Sequence, residues 1–117
     1  MALNSPPSLA QHVGDNILPS FPVFNRLLFL ALKSNHLAIN DVTYGDRATY
    51  EELLSDVLHL RNAIRNSLNP SLQAKLLRGD RVCINILAPG GYEFSVAFLA
   101  VAALGAIIVP ICEYHIP

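Results

Sequence analysis

A few residue groups in this chain have types that could do chemistry. Pro89-Gly90-Gly91 stands where a strand-like run meets a helix-like run. Backbone N–H groups at a helix start attract anions, so such a turn could cradle a phosphate. Its spacing, however, fits neither G-x-G-x-x-G nor the P-loop with its lysine, and a plain strand-to-helix turn is the preferred reading. Glu113-Tyr114-His115 brings a carboxylate, a phenol and an imidazole together as acid–base candidates. With no nucleophile beside them, they read as the polar continuation after a strand. Cys83 and Cys112 are the possible nucleophiles. Neither is near a base in sequence or at a charged helix terminus, so both are expected as buried free thiols. His12, His36, His59 and His115 are too far apart for a metal-ligand pattern. His59 reads as a solvated surface residue on the polar side of a helix. Asn85 is the one polar group on its side of an apolar strand. If buried it needs partners, since an unpaired amide costs about 1–3 kcal/mol, and a neighbouring loop backbone is preferred to a ligand. No residue is expected to be catalytic, cofactor-binding or metal-binding.

The composition agrees with a scaffold. The chain has 117 residues, 52% of them hydrophobic and 15% charged, which is too apolar for a disordered chain and enough for one modest core. A formal net charge of −1, with Lys and Arg scattered singly, gives no field to draw in nucleic acid or anionic lipid. Two cysteines are too few for a disulfide scaffold. No Lys or Arg precedes Arg26, which argues against a secretory leader and an Arg-rich transit peptide. An intracellular, cytoplasmic protein is expected.

The elements that would position these groups can be read in order. Residues 1–20 carry Pro, Gly, Asn and Ser without a sustained period and read as a flexible N-terminal extension. Pro22 suits a first helical turn. Phe24, Leu27, Leu28 and Ala31 follow i, i+3, i+4, i+7 and predict an amphipathic helix ending near Lys33-Ser34-Asn35. Leu37 to Val42 and Arg47 to Thr49, joined through Tyr44-Gly45-Asp46, predict a small hairpin, with Gly45 taking any positive φ. Thr49-Tyr50-Glu51-Glu52 is a capping box, in which the Thr49 hydroxyl and Glu52 carboxylate each accept from the other's backbone N–H. The helix that follows presents Tyr50, Leu53, Leu54, Val57, Leu60, Ile64 and Leu68 on one face, with Arg61 and Arg65 late in it to complement the helix dipole. Asn69-Pro70-Ser71 ends it, and Leu72 to Leu77 can add one further turn.

Gly79 to Pro110 organises the rest. A β-branched run from Arg81 to Leu87, a Gly/Pro turn, an alanine-rich run from Tyr92 to Leu104 and a second β-branched run predict a strand–helix–strand unit of a parallel sheet. Phe94 to Cys112 carries no charge over about 19 residues, the length of a transmembrane candidate. Against a span stand Gly105, the run Ile107-Ile108-Val109 and Pro110 in its last third, and the acidic flanks Glu93 and Glu113. Ala97, Ala100, Ala102 and Ala103 suit a helix lying close on a sheet.

Three passages in order resemble the adenylate-forming enzymes (AMP-dependent synthetases/ligases, acyl-CoA synthetases among them). Thr49-Tyr50-Glu51-Glu52-Leu53 resembles their "T-Y-x-E-L" opening. Arg78-Gly79-Asp80-Arg81-Val82-Cys83-Ile84 is similar to their "kGDrVai" turn and strand. Phe98 to Ile111 matches their "lAvlkaGavyvPl" helix-to-strand passage. Pro22-Val23-Phe24, Val109-Pro110 and His115 look most like the malonyl-CoA-synthetase branch. Ala88-Pro89-Gly90-Gly91 departs from the asparagine-containing loop that such enzymes often carry there.

The resemblance implies an α/β fold, the N-terminal portion of the large domain of such an enzyme, with a mostly parallel sheet and a small leading hairpin. Residues 21–117 would be a partial ligase domain. It implies an acid–thiol ligase that activates a carboxylic-acid substrate through an acyl-adenylate, with ATP, Mg²⁺ and coenzyme A used by the full-length parent and none bound by this stretch. The family's phosphate loop, ribose-binding aspartate and catalytic lysines match no position here, so no site residue carries over and the chain alone is expected to be inactive. A non-catalytic interaction module ranks second, and a small membrane protein third.

Overall fold

The computed structural model describes residues 18–33, 36–42, 45–88 and 90–111. They form two compact units divided between His59 and Leu60. The predicted extension, apart from residues 18–20, lies outside the described residues, as do Ser34, Asn35, Tyr44, Cys112 and the Glu113-Tyr114-His115 group.

The first unit opens with helix α1 (Pro22–Lys33). Its first turn closes where the Asn25 N–H donates to the Phe21 carbonyl at 2.9 Å, and Pro22, lacking a donor, loses nothing there. Phe24 and Ala31, seven residues apart, are buried on one side. Strands β1 (Leu37–Asp41) and β2 (Asp46–Thr49) form the antiparallel hairpin, with an irregularity between Leu37 and Ile39. Gly45 takes φ 76° beside the turn, a conformation a side chain would strain. The capping box then starts α2 (Tyr50–Ser67): the Glu52 N–H donates to Thr49 Oγ1 at 3.2 Å, and the Thr49 N–H to Glu52 Oε1 at 2.9 Å. Leu53, Leu54, Val57 and Leu58 are buried along it.

The second unit contains the end of α2, then α3 (Pro70–Leu77), β3 (Cys83–Ile86), α4 (Tyr92–Leu104) and β4 (Ile107–Pro110). Asn69-Pro70 does more than end α2. Asn69 Oδ1 accepts from the Leu72 N–H at 2.8 Å and Pro70 takes a first-turn position, so the same dipeptide starts an eight-residue helix where a single turn was expected. Gln73 Nε2 donates back to the Arg65 and Leu68 carbonyls at 2.8 and 3.1 Å, satisfying acceptors that the end of α2 leaves open.

β3 and β4 are parallel, pairing Cys83 with Ile107 and Ile86 with Pro110, and α4 lies against both. The helix stops at Gly105, whose φ of 80° turns the chain left-handed, while the Ala106 N–H reaches back to the Val101 carbonyl at 3.3 Å. The uncharged run, as far as it is described, is thus the last eleven residues of α4 followed by a strand. Among the described residues, no helix is long and apolar enough to cross a membrane.

The described strands form the expected leading hairpin and one parallel pair, in a mixed α/β arrangement. One expectation needs correction: Cys83 is not a core thiol, because it is exposed. Val82 and Ile86 are buried while Cys83 and Asn85 are open, the alternation of a strand with one covered face. Parallel strands are usually covered on both faces, but the face of β3 that carries Cys83 and Asn85 is open. Asn85, being exposed, has water for its amide.

Candidate functional site

The turn between β3 and α4 is the place where an anion could be held. Gly91 precedes α4 with φ 92° and ψ −147°, and no side chain caps the helix start. Ser95, one turn in, donates both its N–H and its hydroxyl to the Gly91 carbonyl, each at 3.1 Å. That hydroxyl is spent on the backbone. Glu93 puts a carboxylate in the first turn, where it already complements the positive end of the helix dipole. A second anion would meet that charge. The arrangement starts a helix.

The other candidates are not brought together. His36, His59, Cys83 and Asn85 are each exposed. Cys83 stands beside Ile107 in the parallel register, with no titratable group paired to it. Among the described residues, no three His, Cys, Asp or Glu side chains are grouped so as to hold a metal ion. Cys112 and the Glu113-Tyr114-His115 group fall outside the described residues.

Sequence reasoning misses the burial of Arg61, which is only 4% exposed. Its Nε and Nη2 donate to Asn62 Oδ1 at 3.2 and 2.9 Å, and Arg65 Nη2 donates to the same oxygen at 3.1 Å. One amide oxygen therefore serves two guanidinium groups. The signal is present: Arg61 follows Leu54 and Val57 at seven and four residues, which places it on the buried face of α2.

What these residues define is a mixed α/β framework. Over 91 residues, 77% of this chain, the sequence is 40% identical to an acyl-CoA ligase, oryP, of Aspergillus oryzae (strain ATCC 42149 / RIB 40). The chain spans 16% of that relative's length. No family model matches the chain, and no solved structure does. The chain belongs to the adenylate-forming acyl-CoA ligase family. The relative's name carries no malonyl-CoA assignment, so the finer branch is not part of that placement.

Proposed function

We propose that this chain serves as scaffold in an ATP-dependent acid–thiol ligase, as part of the enzyme's large domain, and contributes none of the reacting groups. The carrying observation is the 40% identity to an acyl-CoA ligase over 77% of the chain. The parallel β3–α4–β4 unit supports it, since that is the element the family resemblance calls for. In this reading residues 21–117 belong to the ligase domain and residues 1–20 are an extension.

The reaction of the whole enzyme joins a carboxylic acid to ATP with release of pyrophosphate, then passes the acyl group to the thiol of coenzyme A. Charge developing on the phosphates must be neutralised by cations, Mg²⁺ included. The described residues do not fit that role, because the Gly90-Gly91 turn is followed by Glu93 and offers no adjacent cation. No step is assigned to them. A cytoplasmic, reducing setting goes with the reading and is supported by the exposed free thiol of Cys83.

A chimera tests the scaffold role. The 91 matched residues of the Aspergillus ligase are replaced by those of this chain, and carboxylate-dependent adenylation is measured. Activity within about tenfold of the parent, a barrier change of roughly 1.4 kcal/mol, is expected. A chimera that folds and binds ATP but has lost adenylation altogether would show that these residues do more than support.

A further inference from the structure

We propose that the outward face of α1 binds an anionic lipid surface, lying on it rather than spanning it. Phe24 and Ala31 are buried, so the opposite side of the helix faces out. On that side Arg26, Phe29 and Lys33 follow one another at three and four residues, a single stripe along the helix. Phe29 keeps 47% of its surface exposed and Leu32 keeps 51%, with Val23 and Phe21 also about half open. Phe29 thus leaves apolar surface open in the middle of the helix's outer face.

The charge pattern says what would cover it. The Arg26 guanidinium lies 5.3 Å and the Lys33 ammonium 5.6 Å from the centroid of the Phe29 ring. The chain as a whole, at a formal net charge of −1, has no basic field for anionic lipid, but α1 gathers two cations and no acidic residue. The acids nearest α1 in sequence are Asp15, ahead of it, and Asp41, in β1, while Asp46, Glu51, Glu52 and Asp56 belong to β2 and α2. A ring flanked by two long cationic side chains suits a boundary between hydrocarbon and phosphate. There the ring and Leu32 enter the acyl region while the Arg26 and Lys33 stems extend to the headgroups. With 12 residues, α1 is about 18 Å long, well short of the roughly 30 Å hydrocarbon core, so it lies in the plane. Nucleic acid is disfavoured, because the half-exposed Phe29 and Leu32 beside the two cations would gain no apolar cover on a phosphate backbone.

The test is flotation of the full 117-residue chain with vesicles, which separates bound protein from aggregates because aggregates sink. Vesicles of phosphatidylcholine containing phosphatidylserine are expected to carry the protein up, and pure phosphatidylcholine vesicles are not. Each cation near an anionic surface is worth about fivefold in partitioning, so R26Q/K33Q should bind roughly 25-fold more weakly. F29Q/L32Q, at exposed positions that leave Phe24 and Ala31 in place, should lose roughly tenfold or more. Salt near 1 M, where screening falls to about 3 Å, should release the wild type. K75Q/R81Q removes two exposed cations elsewhere and should float as the wild type does. The proposal is overturned if the wild type does not float with anionic vesicles or floats equally with neutral ones. It is also overturned if K75Q/R81Q weakens binding as much as R26Q/K33Q.

Discussion

Helices α2 and α4 are held by opposite means. α2 carries its own instructions: a reciprocal capping box at Thr49 and Glu52, acidic residues in its first turn, Arg65 in its last, and Gln73 satisfying carbonyls at its end. α4 has no side-chain cap at its start, no basic residue in its last turn, and a glycine at each end. Its Phe94, Val96, Phe98, Leu99 and Val101 leave no polar side to speak of. A helix apolar all round is stable only where something covers it, and β3 and β4 provide that for α4. Helix α2 is therefore specified by neighbours in sequence, and α4 by neighbours in space.

Substitutions can break this contrast at either helix. The largest effect is expected from Val101→Asp, since Val101 is 1% exposed and a carboxylate there has no partner to offset its desolvation. A loss of about 3–5 kcal/mol, enough to open the β3–α4–β4 unit, follows. Amide hydrogen exchange should then quicken throughout α4 and β3 while the first turns of α2 keep their protection. Equal loss in both would mean that α2 also depends on that unit.

Gly105→Ala is next. Its φ of 80° is left-handed, and a Cβ there meets nothing within 4 Å, so the cost is backbone strain alone, about 1–2 kcal/mol. The midpoint of urea unfolding should fall with the slope unchanged. No change would show that α4 ends for a reason other than Gly105. The smallest effect is expected from Thr49→Ala, which removes the hydroxyl acceptor of the Glu52 N–H and costs about 1 kcal/mol. Exchange should speed in the first turn of α2 only. Loss along the whole helix would make the cap a nucleus rather than a terminus.

The same contrast explains which parts of the fold are legible in the sequence. α2 is readable from Thr49 onward because its signals are local, and α1 because Pro22 and the Phe24–Ala31 spacing state its start and its buried side. The strand–helix–strand order of β3, α4 and β4 is readable from β-branched runs bracketing alanines. What is not readable depends on cover. The alternation of β3 is evident, but which of its faces is bare is set by elements distant in sequence, so Cys83 is expected in a core it does not occupy. α3 is underestimated because Asn-Pro signals an end and a start equally well, and only the Asn69–Leu72 hydrogen bond separates the two. Arg61 is misread when its charge is weighed above its position. At the Gly90-Gly91 turn the start of α4 is legible from the Gly/Pro break, while the Ser95 hydroxyl donating to the Gly91 carbonyl is not.

We propose that this chain is framework and not chemistry. The most direct measurement is carboxylate-dependent ATP–pyrophosphate exchange by the purified chain, supplied with Mg²⁺ and a range of carboxylic acids. No exchange above the rate without protein is expected. Exchange that requires both the chain and a carboxylic acid would contradict the account, because it would need reacting groups that the described residues do not assemble.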